Sequence, residues 1–261
     1  MSRTLLQFRV FITNTLLEAL RNKTLYAVLA AALLTMGAAT TFGALSLHQD
    51  ERIFNNLVFF ANMLFLVALS IYQGVTSLHR EIEQKTIFTV LSKPVTRASF
   101  LVGKYAASAA IMAVCAILMF GLKAAAALLM GYDLTATHLA VYFAGYLQLA
   151  IVVALAFFFA SFSTPLLSAL FTFALFLLGS LTPQIEEASR SFRADANPVH
   201  LLLDGILYIL PDLEKLNLSY ELTHQIAVPG TYLLHALSYA ATVIIFLLAA
   251  AYLLFRRRDF A

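Results

Sequence analysis

The sequence predicts an all-α, polytopic membrane protein with six transmembrane helices, preceded by an N-terminal amphipathic helix in the membrane interface. Three observations support this fold class. The chain of 261 residues is 61% hydrophobic and only 12% charged, whereas soluble domains carry about 25% charged residues. Its apolar runs are long enough to cross about 30 Å of hydrocarbon. All six prolines lie outside the predicted spans or at their first residue, where they do not interrupt a helix.

Residues 1–23 predict the interfacial helix. Leu5, Phe8, Ile12 and Leu16 recur at helical spacing, and polar residues occupy the opposite face. A helix with this pattern lies in the membrane interface when a span follows it directly. The alternative is an ordinary soluble amphipathic helix.

The apolar runs give the positions of the six spans. Residues 134–185 contain no Asp, Glu, Lys or Arg and greatly exceed the 20 or so residues that one span needs. We expect a turn at 161–165, where serine and threonine precede Pro165, because proline suits the first turn of a helix. The predicted spans are 24–47, 55–78, 106–130, 138–161, 165–182 and 231–255.

The segment 186–221 before the last span is polar enough to lie outside the membrane. Within it, residues 198–210 carry apolar side chains at helical spacing, which predicts a short helix at the outer leaflet. The alternative is a plain connecting loop, for which the segment is long.

The distribution of basic residues predicts the orientation. Most of the 17 lysines and arginines fall in the N-terminal segment, in residues 79–105 and at the C-terminus. Because basic residues are enriched on the cytoplasmic side, we expect both termini and the 79–105 segment to be cytoplasmic, and 186–221 to be extracytoplasmic.

The motifs of common enzymes are missing from the sequence. It contains no phosphate-binding G-x-x-x-x-G-K-[ST] loop, no H-E-x-x-H and no G-x-S-x-G. The six histidines and the single cysteine do not have metal-ligand spacing. We therefore predict no catalytic, cofactor-binding or metal-binding residues, and expect that the chain is not itself an enzyme.

A few polar residues interrupt the predicted spans. Lys123 has two readings: its side chain snorkels to the outer interface, or it contacts a transported substrate. Asn62 and Gln148 are also candidates for a substrate path, although hydrogen bonding between helices is the favoured interpretation of such residues.

The charged segment 79–105 is the candidate contact with a soluble partner. Residues 81–92 predict a short helix with polar early positions and apolar later ones, which can dock in a groove of another protein. The alternative is a solvated loop, which explains the basic residues but not the apolar ones. The candidate contact residues are Arg80, Glu81, Glu83, Lys85, Thr86, Ile87, Phe88 and Leu91.

The same segment resembles a known family. Glu81-Ile82-Glu83, Thr86, residues 91–95, Arg97, Phe100 and Gly103-Lys104 are similar to the signature of type 2 ABC transporter permeases. The order of spans and the C-terminal residues 256–260 match as well. Many members have glycine where this chain has Lys85. Lys85 and residues 210–217 are closer to the branch associated with multi-copper enzyme maturation.

The resemblance implies a function and a set of partners. The segment after the second span would contain a coupling helix that contacts a separate ABC ATPase subunit, present in two copies, on which ATP and Mg are bound. A second permease copy or a paralogue would complete the transporter, which would lie in the bilayer of a bacterial cytoplasmic (inner) membrane. Periplasmic components are a further candidate partner, and nucleic acid is not one.

The leading hypothesis is thus a permease subunit that exports or extracts an apolar or amphipathic substrate. One alternative is a membrane anchor or scaffold that recruits a soluble partner without transport. Another is an ion-coupled secondary transporter, which normally needs buried carboxylates or broken helices near the membrane midplane. The predicted spans contain neither feature.

Overall fold

The computed structural model describes residues 23–44, 50–83, 97–194 and 198–257. These residues form helices and connecting turns without a β-strand, which confirms the all-α prediction. The interfacial helix predicted for 1–23 falls outside the described residues except for its last position.

The helices follow the apolar runs of the sequence. We number them α1 to α9 in chain order and add one 3₁₀ turn at Glu214–Leu216. They are α1 Lys23–Ala44, α2 Asp50–Glu83, α3 Arg97–Leu129, α4 Ala136–Ala160, α5 Pro165–Ser180, α6 Thr182–Ala194, α7 Val199–Ile209, α8 Ser219–Thr223 and α9 Gly230–Arg257.

Four of the described helices, α2, α3, α4 and α9, are long and apolar enough to cross a membrane, and the pair α5–α6 makes up to five. The helix α1 covers most of the predicted first span and has 22 residues, but it is not among those four or five. The prediction of six spans is therefore not confirmed and stays a prediction.

The chain bends sharply at the end of the fifth predicted span. α5 and α6 meet at Leu181 with an angle of 63° between them. Pro183 lies in the first turn of α6, where proline starts a helix but cannot continue a preceding one. The predicted span ends at 182, and the structure has a second helix there that extends into the segment predicted as 186–221.

α4 is the central helix of the bundle. In its most apolar stretch of 18 residues 78% are buried, against 17% in the corresponding stretch of α9. α4 packs against α2, α3, α5 and α9. α4 begins after Thr135, whose backbone N–H donates to His138 Nδ1 at 3.2 Å. This bond satisfies one of the amide groups that a helix start leaves without a partner.

α2 and α4 approach each other closely at Gly74. A Cβ atom at this position would lie 2.5 Å from the Cβ of Ala156 and 3.3 Å from the carbonyl oxygen of Val153. Two helices can pack at this distance only where a small residue faces the neighbouring backbone. Gly74 therefore sets the separation between the two helices.

The bundle has two ends, which side-chain contacts define. At one end, which we call the coupling end after the partner contact predicted for residues 79–105, α2 ends, α3 begins, and the turn 161–164 joins α4 to α5. At the distal end, Phe54 of α2 packs on Tyr132 with ring centroids 5.6 Å apart, and Thr137 Oγ1 donates to the carbonyl oxygen of Ile226 at 3.2 Å. The segment 210–229 lies at the distal end.

Candidate functional site

Three of the residues predicted to contact an ATPase are described, and they lie at the coupling end. Arg80, Glu81 and Glu83 belong to the last turn of α2, so the helix of the second span runs on past Leu78 and the predicted helix 81–92 does not begin separately at Glu81. Arg80 is exposed. Lys85, Thr86, Ile87, Phe88 and Leu91 fall outside the described residues, as do the side chains of Glu81 and Glu83.

His79 joins α2 to the turn between α4 and α5. Its Nε2 lies 3.0 Å from the carbonyl oxygen of Ser163, and its Nδ1 lies 3.1 Å from the carbonyl oxygen of Val75. The side chain is 7% exposed. Carbonyl oxygens only accept hydrogen bonds, so each contact is a hydrogen bond only when that ring nitrogen of His79 carries a proton. A neutral imidazole has one such N–H, and a protonated imidazole has two. His79 thus anchors the end of α2 to a second element of the bundle.

A second contact at the coupling end joins α3 to α9. Phe100 and Phe255 are stacked, with ring centroids 6.4 Å apart and an angle of 19° between the planes. Both are buried. Lys104 is also buried, although the sequence places it in a segment surrounded by water. It lies two turns inside α3, which begins at Arg97, and neighbouring helices cover it there.

Polar side chains are buried in the distal half of the bundle, between α2, α3 and α4. We call this set the buried polar cluster. Each member is at most 5% exposed, and members on the same helix are four or seven residues apart, which places them on one face. The cluster consists of Asn55, Asn62, Lys123, His138 and Tyr142.

Asn62 connects two helices of the bundle. Its Nδ2 donates to the hydroxyl oxygen of Tyr142 at 3.1 Å, as the interpretation of a helix-to-helix hydrogen bond predicts. Its Oδ1 has no hydrogen-bond partner among the described residues. Gln148, the other predicted amide, is 7% exposed. A buried acceptor without a partner costs about 1–3 kcal/mol. Asn62 Oδ1 can therefore gain from accepting a hydrogen bond from a further donor.

Lys123 does not snorkel to the outer interface, and that interpretation is wrong. Its side chain is fully buried, because α2 and α4 cover the face of α3 on which it lies. Nζ has no hydrogen-bond partner among the described residues. Glu51 and His138 lie close enough for electrostatic interaction with it, and Glu51 Oε1 accepts a hydrogen bond from Gln225 Nε2 at 2.7 Å. Whether Lys123 contacts substrate remains a prediction.

The 210–229 segment closes the distal end of the bundle. The backbone N–H of Leu213 donates to the carbonyl oxygen of Gly179 at 3.0 Å, and that of Asp212 donates to the hydroxyl oxygen of Tyr239 at 2.7 Å. Leu213 and Leu216 are fully buried. Burial raises the pKa of the Glu214 carboxyl in the same segment. The segment is therefore part of the bundle rather than a free loop.

Sequence reasoning missed several of these residues. His79, Ser163, His138 and Tyr142 were not predicted as site residues. His138 and Tyr142 are four residues apart within an apolar run, and this spacing of polar groups on one helix face is a signal that the sequence does carry. The pairing of His79 with Ser163 has no such signal. No group of three or more His, Cys, Asp or Glu side chains that could hold a metal ion occurs among the described residues.

These features define a polytopic helical membrane protein with a polar cluster buried between its spans. Residues 3–260, almost the whole chain, match the family described as ABC-2 family transporter protein. The chain belongs to the ABC-2 transporter family and is a membrane transport component of it. The comparison with curated proteins gave no match.

Proposed function

We propose that this chain is the permease subunit that couples ATP hydrolysis by a separate ABC ATPase to the export or membrane extraction of an apolar or amphipathic substrate. The family match over residues 3–260 supports the class of protein. The ATPase would be present in two copies and would carry ATP and Mg. A second permease copy or a paralogue would complete the transporter in a bacterial inner membrane, with both termini cytoplasmic.

One observation carries the mechanism. α2 is a single helix of 34 residues, which is about 51 Å long and exceeds the roughly 30 Å of membrane hydrocarbon. It contains Asn55 and Asn62 of the buried polar cluster, and His79 and Arg80 at the coupling end. A continuous helix transmits a displacement of one end to the other, so a push on residues 80–91 would move the polar cluster relative to α3 and α4.

The apolar side chains of the predicted spans support an apolar or amphipathic substrate. Asn62 and Lys123 are the candidates for contact with a polar part of the substrate, and Gln148 on α4 is a third. The branch associated with multi-copper enzyme maturation, to which Lys85 and residues 210–217 point, stays a prediction. Periplasmic components of the complex are likewise an expectation.

ATP hydrolysis in nanodiscs tests the coupling. We expect the chain to co-purify with an ABC ATPase and to change its rate of hydrolysis. Glu83→Arg and Ile87→Asp should reduce that change severalfold, because they alter the candidate contact. Arg190→Gln is the control, since Arg190 lies exposed on α6 and pairs with Glu186 on its own helix. Unchanged stimulation in both coupling variants would refute the proposed contact.

A conformational measurement distinguishes transport from anchoring. Cys115 is the single cysteine and is buried, so Cys115→Ser provides a background for spin labels. A label at Phe162, which is 48% exposed at the coupling end, should report a different distance between two copies when ATP and Mg are added. A complex that binds the ATPase but has the same distances with and without nucleotide would favour a scaffold.

A further inference from the structure

Two histidine side chains are buried among the described residues, and their hydrogen-bond partners differ. They are His79 and His138. Nδ1 of His138 accepts a hydrogen bond from the backbone N–H of Thr135 at 3.2 Å. A ring nitrogen that accepts a hydrogen bond carries no proton, so the surroundings of His138 suit a neutral imidazole. The surroundings of His79 suit the opposite protonation state.

Both ring nitrogens of His79 face carbonyl oxygens. Nε2 lies 3.0 Å from the oxygen of Ser163, and Nδ1 lies 3.1 Å from the oxygen of Val75. A neutral imidazole, which has one N–H, can donate to only one of these oxygens, and its other nitrogen then directs a lone pair at the second oxygen. A protonated imidazole donates to both. Its hydrogen bonds are also stronger, because the donor carries a charge.

The burial of His79 makes the number of its hydrogen bonds important. The side chain is 7% exposed, so water has little access to replace a missing partner. Among the described residues, no backbone N–H donates to the carbonyl oxygen of Ser163, and a buried acceptor without a partner is costly. Val75 lies inside α2, where its carbonyl oxygen accepts a backbone N–H of the helix. A neutral ring would therefore keep the Ser163 hydrogen bond, with its other nitrogen facing the Val75 oxygen unfavourably.

Few other groups can make the Ser163 contact sensitive to pH. The part of the chain from 139 to 185, which includes the α4–α5 turn, contains no Asp, Glu, Lys, Arg or His. Of the other elements packed on α2, α8 lies at the distal end. Histidine is the side chain that ordinarily changes charge near neutral pH. By their positions in α1, α2, α3 and α9, the other ionisable residues at the coupling end are Lys23, Arg80, Glu81, Glu83, Arg97, Lys104, Arg256 and Arg257, with Tyr26, Tyr72, Tyr105 and Tyr252.

We propose that His79 is a pH-sensitive contact between α2 and the α4–α5 turn, in which protonation of the imidazole adds a second hydrogen bond and strengthens the one to Ser163. The contact is strongest at low pH, where the ring is protonated, and weakens as the pH rises and the ring loses a proton. Acidification therefore holds the end of α2 more firmly against the turn. The contact itself does not require transport, whereas its effect on an ATPase rests on the proposed function.

Hydrogen exchange of the full chain in nanodiscs tests this contact. Exchange is measured in residues 157–168 at about pH 6 and about pH 8 and corrected for its intrinsic dependence on pH. We expect these residues to open about fivefold more often at the higher pH, as the loss of one hydrogen bond predicts. Protection that is the same at both pH values in the unaltered chain would overturn the proposal, and this comparison needs no substitution.

A substitution assigns the effect to His79. His79→Gln keeps one donor for Ser163 but cannot gain a proton, so opening of the turn should no longer depend on pH. His224→Gln is the matched control. Nδ1 of His224 contacts the carbonyl oxygen of Tyr220, four residues earlier, at 3.0 Å, but the side chain is exposed. This variant should behave as the unaltered chain does. A dependence on pH that persists in His79→Gln would show that another group is responsible and that the proposal is wrong.

Nitrogen NMR of the chain with labelled histidine reads the protonation state directly. The ring signals that disappear in His79→Gln belong to His79. They should be those of an imidazole with two N–H groups at about pH 6 and with one at about pH 8. A ring that stays in one form over this range would also overturn the proposal. These measurements use neither ATPase nor nucleotide, so failure of the pH-sensitive contact and failure of the transport mechanism are distinguishable.

Discussion

The Nε2 atom of His79 lies 3.0 Å from the carbonyl oxygen of Ser163, although the two residues are 84 positions apart in the chain. The contact joins the last turns of α2 to the turn between α4 and α5. A push on the end of α2 would therefore reach a second pair of helices through this side chain.

His79→Ala should weaken the coupling end of the bundle. Loss of a buried hydrogen bond costs about 1 kcal/mol, and the midpoint of thermal unfolding should fall accordingly. The change in ATPase rate caused by the chain should also decrease. His224→Ala is a close control, because His224 Nδ1 contacts the carbonyl oxygen four residues earlier in the same way but its side chain is exposed. Equal effects of both substitutions would contradict the role of the Ser163 contact.

Gly74→Ala should destabilise the packing of α2 on α4. The new methyl group would meet the Cβ of Ala156 and the backbone of Val153, and overpacking of this kind costs about 1–3 kcal/mol. Gly121→Ala is the control, because nothing lies within 4 Å of a Cβ there and alanine favours a helix by up to about 1 kcal/mol. Unfolding in detergent measures both. A midpoint for Gly74→Ala at or above that of the unaltered chain would exclude the close approach.

Lys123→Met should leave the stability of the bundle unchanged or increase it. The substitution replaces a buried ammonium group that lacks a hydrogen-bond acceptor among the described residues by an apolar side chain of similar size, and it therefore removes the cost of burying a charge without a hydrogen-bond partner. Glu51 keeps its hydrogen bond from Gln225. The midpoint of unfolding in lipid-free detergent is the measurement. A fall of several degrees would mean that the attraction between Lys123 and Glu51 outweighs the cost of burial.

Asp204 should hold α7 against α6 in a pH-dependent manner. Ser189 Oγ donates to its Oδ1 at 2.6 Å and Arg193 pairs with the other oxygen. The Ser189 hydrogen bond, together with Arg193, lowers the pKa of Asp204 below its usual 3.8. Because the folded pKa is the lower one, the stabilising effect is complete above about pH 4 and is lost as the pH falls through the folded pKa.

Hydrogen exchange measures the Asp204 contact. At neutral pH, Asp204→Asn should increase exchange in α7, and Arg193→Gln should act in the same direction. The increase should be modest because the side chains of Arg193 and Asp204 are 61% and 38% exposed, and water screens such an ion pair. Arg190→Gln, which breaks an ion pair within α6 alone, should leave α7 unchanged. Protection of α7 that is the same in all of these variants would show that apolar contacts alone hold it.

Hydropathy predicted the class of protein and the turn between the fourth and fifth predicted spans, because both depend on residues that are neighbours in the chain. An uncharged stretch must lie in hydrocarbon or in the core, and Pro165 starts a helix wherever the chain goes afterwards. The same reasoning failed for Lys123 and Lys104. Reasoning from hydropathy treats each helix as if it were alone in a membrane, where lysines are rare and their side chains reach water. It does not include the neighbouring helices that cover these two side chains.

Only part of the buried polar cluster could be predicted from the sequence. Asn62 and Lys123 stand out in the sequence because polar groups are rare in apolar runs. Tyr142, which accepts the hydrogen bond from Asn62, does not stand out, since tyrosine is common at membrane interfaces. Asn62 and Tyr142 are 80 positions apart, and only the packing of α2 on α4 brings them together.

The sequence by itself determined that this chain is an all-α membrane protein of the ABC-2 type, because composition, apolar run length and the pattern after the second run are properties of consecutive residues. The tertiary structure decided which polar groups meet. It joined His79 to Ser163 and Asn62 to Tyr142, and it buried Lys123 inside the bundle. These outcomes depend on the angle and distance at which helices pack, and close approach at residues such as Gly74 sets that geometry.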